Sequence, residues 1–291
     1  MPKKSRKNIP TNSMTDNFSQ GISIDKISFK KSDFETAELY EIATNSHRDE
    51  GHTFHFIEKG TVQIEIDFQI YRITAPAVVY MHPNQVHRIL DFTDMTVCAL
   101  SINNEKLNPD YLNLLEEIAP SKPLLLAKDV HNDIFETFSL CLNFSKQKSN
   151  KLFHLLLKDS CNTLVALLIS AFLNQNTSLN SLPRFEIIVK SFNQLLEKNY
   201  LALKRPAAYA QQLNISTHYL NESIKNATGL SVSQQIQERI ILEAKRLLYH
   251  SDKSVKEIAF ELGYDDYPYF SRLFTKVAGM TALTFRNKKY D

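Results

Sequence analysis

Along residues 21–105 apolar and polar positions alternate in short runs, the pattern of half-buried strands. Val62, Ile64, Ile66 and Phe68 fall on one face of a period-2 strand. Gly60 punctuates a hairpin, and Pro76 and Pro83 mark bends or edges. Several short strands with turn signals predict a sandwich or small barrel. Over residues 109–181 the apolar period lengthens to that of a helix. Two helices are expected, 129–146 and 150–174, parted at Ser149-Asn150. Leu152, Leu155, Leu156, Leu164, Leu167 and Leu168 form a stripe on the second, read either as core or as a dimer seam. Residues 180–183 read as a linker, and from Arg184 the chain is helical with short breaks. Residues 1–20, basic and then polar, read as a disordered tail.

The last hundred residues repeat themselves. Ala210, Leu213 and Ile215 line up with Ala259, Leu262 and Tyr264 at an offset of 49. Tyr219-Leu220, Ile224 and Gly229 line up with Tyr269-Phe270, Phe274 and Gly279 at an offset of 50, so one residue is inserted in the second turn. Each copy has the form helix, tight turn, helix. Ala210 and Ala259 suit a close helix crossing, Ser216 and Asp265 or Asp266 suit an N-cap, and the two glycines suit a C′ position. Between the copies, Ser231 and Gln234 make a capping box that opens a helix to about Leu248. Its inward stripe is Val232, Ile236, Ile240, Ala244 and Leu247. Ser254 and Glu257 make a second box. The expected class is α+β: an N-terminal small β-barrel, a helical linker, and an all-α C-terminal domain with two helix-turn-helix motifs. The expected boundaries are 21–105, 106–183 and 184–291. A helix-turn-helix places its second helix in a DNA major groove, and two copies suit two successive grooves.

Charge supports that reading. The chain of 291 residues carries a net charge of only +2. Residues 184–291 hold 16 Lys/Arg against 11 Asp/Glu, whereas residues 1–183 hold 18 against 21. A basic third joined to an acidic body faces a polyanion. Hydrophobic residues at 43% and charged residues at 23% fit a globular chain. Three Cys without a CxxC pair exclude a disulfide scaffold and a Cys-based zinc cluster. No apolar run reaches the ~18 residues of a membrane span, and the N-terminus lacks a signal-peptide core. No membrane partner is expected. The expected compartment is the cytoplasm, on the nucleoid when bound to DNA.

These residues resemble the AraC/XylS family of bacterial transcription regulators. The second copy carries the most specific pattern, Ile258 to Tyr264 and Tyr267 to Phe274, followed by Lys276, Gly279, Thr281 and Phe285-Arg286. Ala282 stands in a surface turn where the family has Pro, Ile224 where it has Phe, and Glu222 where it is often basic. The first half is similar to the family's cupin-like sensor domain through His47-Arg48-Asp49, Phe54-His55-Phe56, Gly60, Tyr71, Pro83 and His87. The resemblance implies an effector-sensing or dimerising domain, a helical segment for homodimerisation, and a DNA-binding domain. RNA polymerase is a partner if the protein activates transcription. Two alternatives stand beside this: a constitutive DNA-binding regulator whose β domain only dimerises or binds a partner, and a metal-cupin enzyme with a DNA-binding appendage.

The outward residues of the first recognition helix are Thr217, His218, Asn221, Glu222 and Lys225; those of the second are Asp266, Tyr267, Ser271, Arg272 and Lys276. Asn221 suits adenine, Glu222 suits cytosine N4 or solvent alone, and Arg272 suits guanine, phosphate, or an ion pair with Asp265 or Asp266. Lys225 and Lys276, with Lys204 or Arg205, suit phosphates. His47, Arg48, Phe56, Tyr80 and His87 are expected to line an effector pocket. His52, His55, Glu58 and His87 have metal-ligand chemistry, but residues three apart on a strand point to opposite faces, so no metal is expected. Nor is a cofactor or an enzymatic activity.

Overall fold

The computed structural model describes residues 8–12, 21–34, 44–118, 122–126, 128–176 and 184–287. Most of the 1–20 tail and all of the 180–183 linker lie outside them. The chain divides into two compact units, Pro10–Ser178 and Leu179–Asp291 with Met1–Ile9.

Among its described residues the first unit holds ten strands, a 3-10 turn at Lys31–Phe34 and three α-helices: β1 Thr11–Asn12, β2 Ile22–Phe29, β3 Arg48–Asp49, β4 His52–Lys59, β5 Thr61–Ile66, β6 Gln69–Thr74, β7 Ala77–Met81, β8 His87–Phe92, β9 Met95–Ile102, α1 Pro109–Ile118, β10 Leu124–Leu125, α2 Lys128–Ser145 and α3 Phe153–Asn176. The helices fall within a few residues of their expected places. A five-stranded sheet runs β10-β7-β4-β9-β2 and a three-stranded sheet β6-β5-β8. The expected barrel does not close. Both edges of β4 are taken by β7 and β9, so β5, beyond the Gly60 turn, has no edge of that sheet to join and begins the second one. Phe68 leaves the face of Val62, Ile64 and Ile66: Asp67 and Phe68 have φ of 49° and 68° and form the turn after β5. In the described part of the tail, Thr11 and Asn12 pair in parallel with Arg48 and Asp49.

β4 divides the core. Phe54 and Phe56, with Val78, Tyr80, Cys98 and Leu100, pack against Ile134, Phe138, Leu164 and Leu168 of α2 and α3. Ile57, Val79, Met81 and Val97, on the opposite face of the sheet, pack against Val62, Ile64, Ile73 and Phe92 of the smaller sheet. The leucine stripe divides as well: Leu164 and Leu168 are core, while Leu152 and Leu155 are 55% and 58% exposed. Among the described residues, one helix, Phe153–Asn174, is long and apolar enough to cross a membrane by length and composition. Lys158, Asp159 and Asn162 interrupt its run, and half of its most apolar window is buried in this core.

The second unit is helical: α4 Arg184–Asn199, α5 Pro206–Gln212, α6 Thr217–Thr228, α7 Val232–His250, α8 Val255–Glu261, α9 Tyr267–Ala278 and α10 Ala282–Asn287. The repeat is reproduced residue by residue. α5 and α8 have 7 residues each, and α6 and α9 have 12. Ile215 and Tyr264 donate their amides to Ala210 and Ala259 in the same turn position. Ser216 caps α6 and Asp266 caps α9, while both capping boxes, Ser231 with Gln234 and Ser254 with Glu257, are complete. Gly229 and Gly279 end the second helices at φ 76° and 72°, where a side chain would be strained. Nothing crowds either glycine, so backbone conformation alone selects the residue.

The hub is α7. Val232, Ile236, Ile240, Ala244 and Leu247 are all 5% exposed or less. Arg239 on its flank donates to both carboxylate oxygens of Glu197 on α4, at 2.8 and 2.9 Å, and lies 3.9 Å over the Tyr200 ring. Buried Arg246 bonds Glu243 at 2.9 Å. Arg286 of α10 reaches the carbonyls of Leu248 and Lys253, and Phe285 packs on Phe274. Ala282 is 3% exposed at the start of α10, so this departure from the family pattern lies in a buried helix start rather than a surface turn. Ile240→Ala should cost ~2–5 kcal/mol, the usual cost of emptying a core position. Urea unfolding followed by circular dichroism checks this, and an unchanged helical transition would contradict the role given to α7.

Candidate nucleic-acid interface and histidine cluster

The buried faces of α6 and α9 fix which residues look outward. Leu220, Ile224, Phe270 and Phe274 are 0% exposed. His218, Glu222 and Lys225 are exposed on α6, as are Tyr267, Arg272 and Lys276 on α9 with the capping Asp266 before them; Thr217 and Ser271 are half-buried. His218 Nδ1 lies 3.6 Å from the Glu222 carboxylate, one turn away, so the two side chains share one exposed patch of the helix. Arg272 makes no ion pair with Asp265 or Asp266, or with any other described residue. Asp266 spends its carboxylate on the amide of Tyr269 at 2.9 Å. Tyr269 is 47% exposed and stacks on Tyr264, with centroids 5.9 Å apart.

Two positions differ from expectation. Asn221 is half-buried and its Oδ1 accepts the Val232 amide at 3.2 Å, tying α6 to the start of α7. Its Nδ2 remains to donate, one bond rather than a bidentate adenine pair. Lys204 turns inward. Its ammonium donates to the Tyr200 carbonyl at 2.7 Å and lies 5.1 Å from the centre of the Tyr264 ring. Burial pushes its pKa down to about 8. Lys204 is therefore a structural cation, and Arg205 stays exposed beside it.

In the first unit the five expected pocket residues do not converge. Phe56 and Tyr80 face the helices. Tyr80 hydroxyl lies 2.8 Å from His52 Nδ1, and His52 Nε2 lies 2.9 Å from Asn104 Oδ1. A neutral imidazole satisfies both contacts, donating to Asn104 and accepting from Tyr80. Burial pushes the His52 pKa down to about 4, in agreement. His47 and His87 lie elsewhere, paired across an antiparallel bridge. Their rings are 4.4 Å apart. Asp49, two residues from His47 and so on the same face, joins them: its carboxylate is 3.8 Å from His47 Nε2 and 3.5 Å from His87 Nε2. Burial acts to raise the Asp49 pKa, but His87, the Thr53 hydroxyl, His47 and His55 outweigh it and hold the carboxyl low. His87 is 4% exposed, and burial together with His47 pushes its pKa down to about 4. Arg48, between the two, takes the other face of β3. As expected, His52 and His55 point apart. The cluster that does form was missed: His-x-Asp at 47–49 was its local signal, and the pairing with His87 is not local.

Residues 209–288 match the model of a helix-turn-helix domain, and residues 31–129 match that of an AraC-like ligand binding domain. The two models fall in the two units in the order expected. The chain belongs to the AraC/XylS family of transcription regulators. It is a DNA-binding regulator of the AraC type with a ligand-binding N-terminal domain. Among curated relatives it is similar to the HTH-type transcriptional activator RhaR of Salmonella schwarzengrund, 25% identical over 81% of this chain and 86% of the relative. RhaR of Salmonella heidelberg is 35% identical over 28% of each chain. Among solved structures it is similar to unsaturated fatty acid bound ToxT from Vibrio cholerae, at 16% identity over 92% of this chain and 95% of that one, TM-score 0.42. It is also similar to the C-terminal domain of AraT, a response regulator from Geobacillus stearothermophilus, at 29% identity over 38% and 94%, TM-score 0.34.

Exposed and inward lysines make different predictions. Lys225→Ala and Lys276→Ala should each flatten the slope of log affinity against log salt by about 1 on duplex DNA. Lys204→Met should leave that slope unchanged. Fluorescence anisotropy across a salt series measures all three, and a slope change in the Lys204 variant alone would reverse the assignment.

Proposed function

We propose that the protein activates transcription by laying α6 and α9 in adjacent major grooves of one DNA face. The observation that carries this is the matched pair of 12-residue helices, each opened by a side-chain cap, closed by a left-handed glycine and joined through the buried stripe of α7. Arg272 reads guanine through its paired N–H groups. Thr217, His218, Glu222, Tyr267 and Ser271 border the bases, Asn221 donates through Nδ2, and Lys225, Lys276 and Arg205 neutralise phosphates. Asp266 acts indirectly, by starting α9 at the right place.

The first unit binds an effector at the polar end of its sandwich, near His47, Arg48 and His87. β4 links that end to the helical pair, since His55 is on one of its faces and Phe54 and Phe56 are on the other. Tyr80 packs on Phe54 at 4.8 Å and on Phe172 of α3 at 6.5 Å, so a shift of β4 is felt by α3. Exposed Leu152 and Leu155 support a homodimer through this helix. The protein works in the cytoplasm, without a catalytic step of its own, and RNA polymerase is its partner at the promoter.

Transcription in vitro tests this, with full-length protein, polymerase and a template bearing the DNA site that the protein selects. Adding the protein should raise transcript yield severalfold; a fall would contradict activation. Arg272→Ala should weaken binding to that site by ~1–3 kcal/mol and lower the yield in step. Unchanged affinity would remove Arg272 from base reading.

A further inference from the structure

We infer that His47, Asp49 and His87 form a binding site for one divalent transition-metal ion of the zinc type in the ligand-binding unit. One ligand atom from each lies within 4.8 Å of the others. Their spacing argues for an ion between them rather than for bonds among them. Asp49 stands 3.5 Å from His87 Nε2 and 3.8 Å from His47 Nε2, beyond the 2.7–3.2 Å of a good N–H···O bond. Two ligands of one tetrahedral zinc, each about 2.1 Å from the metal, stand about 3.4 Å apart. Small side-chain rotations close the difference.

The surroundings orient the ligands. His47 Nδ1 lies 2.9 Å from the Asn45 carbonyl, so it carries the proton and leaves the Nε2 lone pair facing Asp49. Asn12 donates to Asp49 Oδ1 at 3.0 Å, which leaves Oδ2 toward His87. Both are the outer contacts that metal ligands require. His87 is nine-tenths buried and more, no described residue makes a well-formed hydrogen bond to its Nδ1, beside which the Gln85 backbone lies, and its Nε2 faces Asp49. Two imidazole nitrogens and one carboxylate suit zinc, nickel or cobalt better than calcium or magnesium, which take oxygen. Three protein ligands leave a coordination position for water or for a donor group of an effector. His47 and Asp49, partly exposed, give the ion a way in. An ion here would also fasten β3, and through Asn12 the strand beside it, to β8.

The inference rests on reading this end of the unit as its ligand site, but its test needs neither effector nor DNA, so the two fail separately. Full-length protein is stripped with a chelator, exchanged into clean buffer and titrated calorimetrically with zinc, then with cobalt followed by visible absorption. One ion per chain is expected, with the absorption of low-coordinate cobalt. Asp49→Asn and His47→Gln should each weaken zinc binding at least tenfold while keeping the wild-type circular dichroism, and His154→Gln, an exposed histidine on α3, should not weaken it. If a variant unfolds, the paramagnetic shift that cobalt imposes on the His47 and His87 ring protons of the wild-type chain decides instead. The absence of saturable binding, binding unchanged in both site variants, or unshifted His47 and His87 protons overturns the site.

Discussion

A regulator with two recognition helices on one chain reads DNA as a unit only if the helices keep a fixed separation, and here α7 supplies it. The buried stripe from Val232 to Leu247 faces both hairpins at once. Removing it from water stabilises each hairpin and also fixes one against the other. Apolar burial is non-directional, so the stripe alone would let the helix slide. The Arg239–Glu197 pair, with Tyr200 beneath the guanidinium, sets its position against α4. Arg286, bonded to the Leu248 and Lys253 carbonyls, fastens the other end. The outward residues of α6 and α9 are thus left for DNA because every inward position is already committed.

The first unit follows a different economy of faces. β4 is central in its sheet, so its two faces do different work. One belongs to the helical pair and is largely apolar, with polar contacts where His52 meets Tyr80 and Asn104 and where Glu58 meets Lys26 and Cys98. The other runs from the apolar interior of the sandwich, at Ile57, to the imidazoles and carboxylate near His55. Holding a largely desolvated carboxylate charged among three histidines carries a cost, which those imidazoles and the Thr53 hydroxyl offset. That cost is the physical reason to look for function at this end rather than in the tightly packed layer under the helices.

Much of this was legible in the chain because it is local. Caps, C′ glycines and the α7 stripe depend on residues three or four apart, and each stands where its spacing placed it. The repeat exposed the one-residue difference between the two turns. Residues whose role depends on a distant partner were not legible. Asn221 has the side chain of a base reader, yet Val232 claims its oxygen. Lys204 has the charge of a phosphate clamp, yet Tyr200 and Tyr264 turn it inward. Barrel closure failed for the same reason, since strand order is a long-range property that the alternation of Val62, Ile64 and Ile66 does not encode. The His47–Asp49–His87 cluster needed the bridge between His47 and His87, forty residues away.

The claim on which the rest depends is that two rigidly spaced helices read adjacent grooves. Selection of bound sequences from a random duplex library by the full-length protein, repeated over several salt concentrations, tests it most directly. An enriched motif of two short boxes about 10–10.5 base pairs apart, one helical turn, is expected, retained as salt weakens overall affinity. Salt-sensitive binding with no enriched motif, or with a single box, would contradict it.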